Sequence, residues 1–318
     1  MSDDRGCVLP HTEASRDLLR GEMSRQWRVA LVQASPLRGD DPVAEMAAEL
    51  AAILAEHPET QMVVFPEIHL LGASDDEDDP RTYFDAVAEP LTGPLVQALG
   101  VMAADSGVWL VPGSIAERGE DGRVYNTAVV FDPDGRLVSS YRKVFPWRPH
   151  EAWASGAGFT AFDVPGVGRM GVNICYDSWF PEATRQIAWL GAEVVFNIVK
   201  TTSDDREQEL VLARANAITN QVYYLSVNAA GPLGRGQSIY VGPEGEVLAQ
   251  VAHAEPEVTH LAIDLDRVTA VRTHGTAGVN RVWEQLHADD DPIELPAYGG
   301  QLSHQRWQPQ HVNLEGRS

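Results

Sequence analysis

Residues 168–190 read GRMGVNICYDSWFPEATRQIAWL. An apolar run ends at Cys175, a short turn follows, and Pro181 suits the first turn of a helix that continues to Leu190. The pattern predicts a buried strand, a turn and a helix in succession. A side chain at such a turn is exposed, and nearby helix amides favour a thiolate and a developing oxyanion. Cys175 is therefore well placed for a nucleophile, although burial statistics alone favour a structural cysteine.

The alternation of strand and helix continues on both sides of this stretch. The predicted strands are 27–34, 62–67, 108–115, 124–131, 137–141, 159–164, 170–175, 193–199, 222–228 and 257–263, with two more flanking residues 243–245. The predicted helices are 42–56, 91–106, 181–190 and 206–219. Residues 73–81 are predicted to form an acidic loop. The alternation as a whole indicates a mixed α/β sandwich.

The length of 318 residues suits one large α/β domain with tails. The predicted organisation is an N-terminal extension of residues 1–26, a domain of residues 27–265 and a C-terminal extension of residues 266–318. Beyond Asp264 the sequence turns polar and is predicted to be irregular. Its spaced aromatic residues suggest that this extension packs on the domain or on a partner subunit: Trp283, Tyr298 and Trp307.

Charge and cysteine content exclude several classes of protein. With 46 acidic and 24 basic residues the net charge is −22, which disfavours nucleic acid and anionic membranes as partners. The chain lacks a secretory signal pattern and any apolar stretch near 18 residues. Only Cys7 and Cys175 occur, so neither a disulfide framework nor a cysteine zinc site is available. These features predict a soluble protein of the reducing cytoplasm, with solvated acidic loops at 75–79 and 289–291 rather than metal sites.

A thiol nucleophile needs a base, and no histidine stands out from its surroundings. Glu67 directly follows the apolar run MVVFP, at the edge of the sheet where strand ends meet loops. A partly desolvated carboxylate there has a raised pKa and can accept a thiol proton. Lys143, in SSYRKVFPW, also ends a strand and can place a fixed positive charge at a tetrahedral oxyanion. Each residue alone is more often an exposed surface group.

Together these segments resemble a family. VVFPE at Glu67, YRKVF at Lys143 and GVNICYDSWFPE at Cys175 look like the Glu-Lys-Cys segments of the nitrilase superfamily, the carbon-nitrogen hydrolases, in the same order. RVALVQ at 28–33, RANAITNQVYYLSVNAAG at 214–231 and GQSIYVGPEGEVLA at 236–249 resemble further segments of that family. The resemblance covers residues 27–265.

The resemblance implies an αββα sandwich, in which Cys175 attacks a carbonyl or nitrile carbon. It implies Glu67 as general base and then acid, and Lys143 and the backbone N–H of Tyr176 as stabilisers of the tetrahedral intermediate. A second active-site glutamate of the family falls on Glu151, although its distance to the following glycine is shorter than usual. No metal or organic cofactor is expected for this chemistry.

The sequence narrows the substrate only in part. Tyr176-Asp177 after the nucleophile favours an amide or carbamoyl C–N bond over a nitrile, since nitrilases carry Trp-Glu there. Trp179 stands where branches acting on ω-amido acids tend to have arginine, and CYDSWFPE most resembles N-carbamoylputrescine amidases. An aromatic wall in an acidic protein suits a neutral or cationic amide. Lys200 or Arg148 could instead bind a substrate carboxylate.

Three alternatives remain open at this stage. The reaction is hydrolysis of a small amide or N-carbamoyl amine, or hydrolysis of a nitrile, or the chain is an altered relative that serves as a binding or scaffold protein. The intact Glu67, Lys143 and Cys175 argue against the third. The resemblance also implies a homodimer or larger homo-oligomer, with the helix after Pro181 and the C-terminal extension at the contacts.

Overall fold

The computed structural model describes residues 24–76 and 79–302. The helices are α1 (Pro42–Glu56), α2 (Pro80–Val87), α3 (Pro94–Ser106), α4 (Pro181–Trp189), α5 (Arg206–Asn220) and α6 (Asp266–His274). The strands are β1 (Gln26–Gln33), β2 (Met62–Val64), β3 (Trp109–Val111), β4 (Ser114–Arg118), β5 (Val124–Phe131), β6 (Leu137–Arg142), β7 (Ala161–Val164), β8 (Gly168–Ile174), β9 (Val194–Val199), β10 (Tyr223–Asn228), β11 (Ile239–Val241), β12 (Val247–Gln250), β13 (Glu257–Asp264), β14 (Ile293–Leu295) and β15 (Gly300–Leu302).

The strands form two large sheets and a small hairpin of β14 and β15 within the described ranges. The first sheet has the order β13-β1-β2-β3-β5-β4, and β6 pairs with β5. The second has the order β12-β11-β10-β9-β8-β7, with β8, β9 and β10 parallel to one another. In the first sheet β1, β2 and β3 are likewise parallel, so the carboxyl ends of these strands meet at one edge.

Burial along β1 shows how the layers stack. Trp27, Val29 and Leu31 belong to the apolar cluster that joins the two sheets, where Leu31 is fully buried. The intervening Ala30 and Val32 belong to the cluster with the buried faces of α1 and α3, because successive strand residues point to opposite faces. On the far side, α4 and α5 pack on the second sheet. The expected αββα sandwich is therefore confirmed.

Helix starts follow local sequence signals. At α1 the Asp41 carboxylate accepts a hydrogen bond from the Ala44 N–H (3.0 Å), and Pro42 occupies the first turn. Its buried residues recur at helical spacing: Met46, Leu50 and Ile53. Pro181 likewise occupies the first turn of α4, as the sequence predicted, although the residue before it, Phe180, makes no side-chain capping bond.

The predicted strand at 108–115 is wrong as a single element. It is divided into β3 and β4 at Gly113, whose φ is +93°. A Cβ at this position would overlap the carbonyl oxygen of Pro66, the residue before Glu67. The backbone therefore breaks here because it passes close to the Glu67 segment, and only glycine fits.

Replacing Gly113 with alanine is expected to lower the free energy of unfolding by about 3 kcal/mol or more, from positive-φ strain and overlap with Pro66 together. The matched control is Gly166→Ala, where φ is +73° and no heavy atom lies within 4 Å of the added Cβ, so that only the strain of about 1 kcal/mol remains. Urea denaturation measures both variants. Equal losses would show that the close approach to Pro66 is unimportant.

Two further expectations need correction. The predicted acidic loop at 73–81 is not a loop throughout, because a 3-10 helix extends over His69–Asp76 and α2 begins at Pro80, where the Asp79 carboxylate accepts from the Arg81 N–H. The chain beyond Asp264 is not irregular throughout, because Asp266–His274 forms α6 with Val268 and Val271 buried. A nine-residue helix with so few apolar positions gives a weak periodic signal.

The C-terminal extension contacts the domain within the same chain. Trp283 is buried and packs with Ile187 and Ala188 of α4, and the Tyr298 hydroxyl donates to the Glu182 carboxylate. Trp307, Cys7 and most of the N-terminal extension lie outside the described residues. In the ranges that the structure describes, no helix has both the length and the apolar character needed to cross a membrane.

Candidate active site

Three strand ends bring the predicted catalytic side chains to one edge of the sandwich. Glu67 follows β2 and Lys143 directly follows β6, both in the first sheet. Cys175 directly follows β8 in the second sheet. The site therefore lies between the sheets, where β2, β6 and β8 end.

Glu67 is almost fully buried, with 3% of the residue exposed. Its Oε1 accepts hydrogen bonds from Lys143 Nζ (3.0 Å) and Asn126 Nδ2 (2.8 Å). Its Oε2 accepts one from the backbone N–H of Lys200 (2.9 Å). These donors fix the carboxylate in one orientation, which a group that transfers protons at a defined atom requires.

Lys143 is fully buried and lies between two carboxylates. Its Nζ is 3.0 Å from Glu67 Oε1 and 2.8 Å from Glu151 Oε1. Burial by itself lowers the pKa of this ammonium, but Glu67, Cys175 and Glu151 outweigh it and hold the pKa well above its ordinary value. Lys143 therefore stays positively charged at neutral pH.

Glu151 is held by its own loop as well as by Lys143. Its Oε2 accepts from the Trp147 N–H (2.9 Å), and its backbone N–H donates to the Trp147 carbonyl (2.8 Å). Glu151 also lines a cavity of about 890 Å³ with Phe84, Arg148 and Trp153 among others. The structure thus brings Glu151 to Lys143 at the wall of an open cavity.

Cys175 begins a 3-10 turn, Cys175–Trp179, with a φ of +47°. A non-glycine residue in this region is strained by about 1–2 kcal/mol, and such strain concentrates at functional sites. From α5, Asn216 Nδ2 donates to the Ser178 carbonyl (3.0 Å) and holds the turn. Burial, then Glu67, raises the pKa of the Cys175 thiol well above its ordinary value, while Lys143 opposes them. The resting sulfur is therefore a protonated thiol at neutral pH.

The residues predicted to bind substrate have different settings. The centroid of the Tyr176 ring lies 5.9 Å from that of Trp179 and 5.4 Å from that of Phe180. Trp179 lines a groove of about 830 Å³ between α4, α5 and Tyr298, and the residues lining that groove do not include Glu67, Lys143, Glu151 or Cys175. Lys200 reaches the site through its backbone N–H on Glu67. Arg148 donates from Nη2 to Ser155 Oγ (3.2 Å).

Sequence reasoning missed two polar residues at this site. Asn126 is buried in β5 and donates to Glu67. The sequence feature that could have identified Asn126 is an amide side chain within the largely apolar strand VYNTAVVF, since buried polar groups need a hydrogen-bond partner. Asp177 is fully buried and accepts hydrogen bonds from segments next to both Lys143 and Cys175. It stood within the quoted motif, but sequence spacing does not reveal its partners.

Comparison with known proteins agrees with this architecture. A crystal structure of Saccharomyces cerevisiae Nit3, a member of branch 10 of the nitrilase superfamily, is 28% identical with a TM-score of 0.69, covering 78% of this chain and 93% of that chain. A mutant of the amidase from Nesterenkonia sp. AN1, with covalent addition of the acetamide moiety of fluoroacetamide at its active site cysteine, is 26% identical with a TM-score of 0.65, covering 77% of this chain and 92% of that chain. The fold is therefore that of the nitrilase superfamily.

Sequence comparison gives the family. The family model described as carbon-nitrogen hydrolase matches residues 28–273. Formamidases of Bacillus thuringiensis (strain Al Hakam) and Bacillus cereus (strain AH820) are each 34% identical over 210 residues, which cover 65% of this chain and 61% of each formamidase. The chain thus matches less than two thirds of the formamidases' length. It belongs to the carbon-nitrogen hydrolase family, which confirms the resemblance found in the sequence.

Proposed function

We propose that this protein hydrolyses the C–N bond of a small amide through an acyl-enzyme on Cys175. The observation that carries the proposal is the fully buried Lys143, paired with Glu67 and Glu151 beside a thiol on a positive-φ turn. Burying a charge in this way is costly unless a function or a network of partners retains it. Family membership supports the same chemistry.

In the first half-reaction, Glu67 accepts the proton of the Cys175 thiol as sulfur attacks the amide carbon. A base is needed because burial keeps the thiol protonated at neutral pH. The Lys143 ammonium and the Tyr176 N–H stabilise the oxyanion of the tetrahedral intermediate. Glu67 then gives the proton to the leaving nitrogen, ammonia or an amine departs, and a thioester remains on Cys175.

In the second half-reaction, water attacks the thioester and gives a proton to Glu67. The carboxylic acid product leaves, and the proton returns from Glu67 to the sulfur, which restores the resting thiol. Asn126 and the Lys200 N–H orient Glu67 through both steps. Glu151 holds Lys143 in place from the other side.

Among substrates, an unsubstituted aliphatic amide has the best support. The similar proteins named above include formamidases and an amidase. The resemblance to N-carbamoylputrescine amidases rested on CYDSWFPE, whose Trp179 lines the groove between α4 and α5 and not the cavity that Glu151 lines. Tyr176-Asp177 after the nucleophile disfavours a nitrile. Arg148, at the cavity shared with Glu151, keeps a carboxylate-bearing amide as a second candidate.

Ammonia release from a substrate panel tests this proposal. We expect kcat/KM for formamide, acetamide or butyramide to exceed that for the matching nitriles by at least about 100-fold, since a site shaped for one reacting group rejects analogues that leave its polar groups unpaired. N-carbamoyl amines and ω-amido acids complete the panel, and Cys175→Ala protein gives the background. Turnover of nitriles alone would contradict the amide assignment, and no turnover of any member would favour the scaffold alternative.

Self-association and a cytoplasmic location stay predictions. The expected contact elements, α4 and the C-terminal extension, pack against each other within one chain through Glu182 and Tyr298. We propose that a homo-oligomer uses the outer surface of this pair.

A further inference from the structure

Asp177 is a buried carboxylate that the proposed mechanism does not use. It lies two residues after Cys175, inside the turn Cys175–Trp179, and none of its surface is exposed. An ionised carboxylate in such a place is costly unless several donors surround it. The hydrogen-bond donors around the Asp177 carboxylate therefore indicate its role.

The donors come from both sides of the active site. Asp177 Oδ2 accepts from the backbone N–H of Ile174 (3.0 Å), the residue directly before Cys175. The same oxygen accepts from the Tyr141 hydroxyl (2.8 Å), and Oδ1 accepts from the Phe145 N–H (2.9 Å). Tyr141 and Phe145 stand two residues before and two residues after Lys143.

One carboxylate thus joins the end of β8 to the chain on both sides of Lys143, although β6 and β8 belong to different sheets. We propose that Asp177 is a positioning residue, which holds the Cys175 turn at a fixed distance from Lys143 and so aligns sulfur with the oxyanion site. This proposal rests on the proposed function, because it assumes that Cys175 attacks the amide carbon while Lys143 stabilises the oxyanion formed on the same carbonyl group. Misplacement of reacting groups by about 1 Å can cost about 100-fold in rate.

The same contact makes the alignment sensitive to acid. Burial raises the pKa of Asp177 to about 6, against the opposing effects of the Ile174 N–H, Lys143, the Phe145 N–H and Tyr141. The titratable groups that face it are Lys143 and Tyr141 from the first sheet and Tyr224 from β10. Below about pH 6 the carboxyl takes up a proton, and one oxygen then becomes a donor that faces other donors. The alignment is therefore complete above this pH and is lost below it.

The test compares Asp177→Asn with Tyr141→Phe in the full chain. Asparagine keeps the shape but directs an N–H₂ group at a donor, so we expect kcat to fall about 100-fold with KM changed less than about threefold. The fall of kcat near pH 6 should disappear in this variant. Tyr141→Phe keeps the carboxylate and both backbone donors, so kcat should fall less than about fivefold.

Tyr141→Phe also gives a second readout if Asp177→Asn does not fold. The Tyr141 hydroxyl lowers the pKa of Asp177, so its removal should move the acid limb of kcat to higher pH. Wild-type kcat and an unchanged acid limb in Asp177→Asn would overturn the proposal, and so would an unmoved limb in Tyr141→Phe. Turnover by Cys175→Ala would instead overturn the proposed function, which separates the two failures.

Discussion

Replacing Cys175 with alanine is expected to lower kcat by at least about 10⁴-fold without unfolding the protein. The sulfur is the only atom removed, so water would have to attack the amide directly at a site built for a thioester. Alanine keeps the Cβ at the same positive φ and removes a single heavy atom, so little packing is lost. Ammonia release and thermal unfolding followed by circular dichroism measure the two effects.

The matched control is Cys7→Ala, which removes the other cysteine of the chain. This variant is expected to keep wild-type turnover. If Cys175→Ala retained more than about a tenth of the activity while folded, the acyl-enzyme mechanism would be wrong. If Cys7→Ala lost its activity, the nucleophile would have been assigned to the wrong cysteine.

Replacing Lys143 with methionine is expected to have the largest combined effect on activity and stability. The change keeps the length of the side chain but leaves the buried Glu67 and the partly buried Glu151 without the ammonium between them. Breaking a buried ion pair by removing one partner costs about 3–5 kcal/mol. In addition to this loss of stability, removing an oxyanion-stabilising charge lowers kcat by about 10²–10³-fold.

The control for Lys143→Met is Arg136→Met. Arg136 contacts Asp132 and Asp134 but is 70% exposed, so its removal should change the free energy of unfolding by less than about 1 kcal/mol. Urea denaturation compares the two variants at pH 7. A Lys143→Met protein as stable as Arg136→Met would show that the Glu67–Lys143–Glu151 network is not a buried ionic network in solution.

The segments around the reacting groups were predictable because each carries its own local signal. An apolar run that ends at Cys175 and a helix that begins at Pro181 fix the turn between them. Glu67 follows a fully buried apolar strand and Lys143 follows the predicted strand LVSSYR, so their approach follows from strand ends meeting at one edge. The alternation of strands and helices indicated a mixed α/β sandwich, and the family resemblance then specified its αββα layers.

What was not predictable depends on contacts between distant segments. Gly113 breaks a strand because the Pro66 carbonyl passes close to it, and no pattern in 108–115 records that approach. The Trp179 ring lies in the groove between α4 and α5, and the sequence of the turn alone does not show on which side of the turn the ring lies. Asn126 contacts Glu67, 59 residues away along the chain, and Asp177 contacts Tyr141 and Phe145, which are 36 and 32 residues away.

Alkylation by iodoacetamide tests whether Cys175 is the nucleophile. The reagent is itself a small amide, and peptide mass spectrometry reports modification of Cys175 and Cys7 separately. We expect activity to fall in proportion to labelling at Cys175, and butyramide to slow both. A protein fully labelled at Cys175 that still releases ammonia would contradict the assignment of Cys175 as the nucleophile.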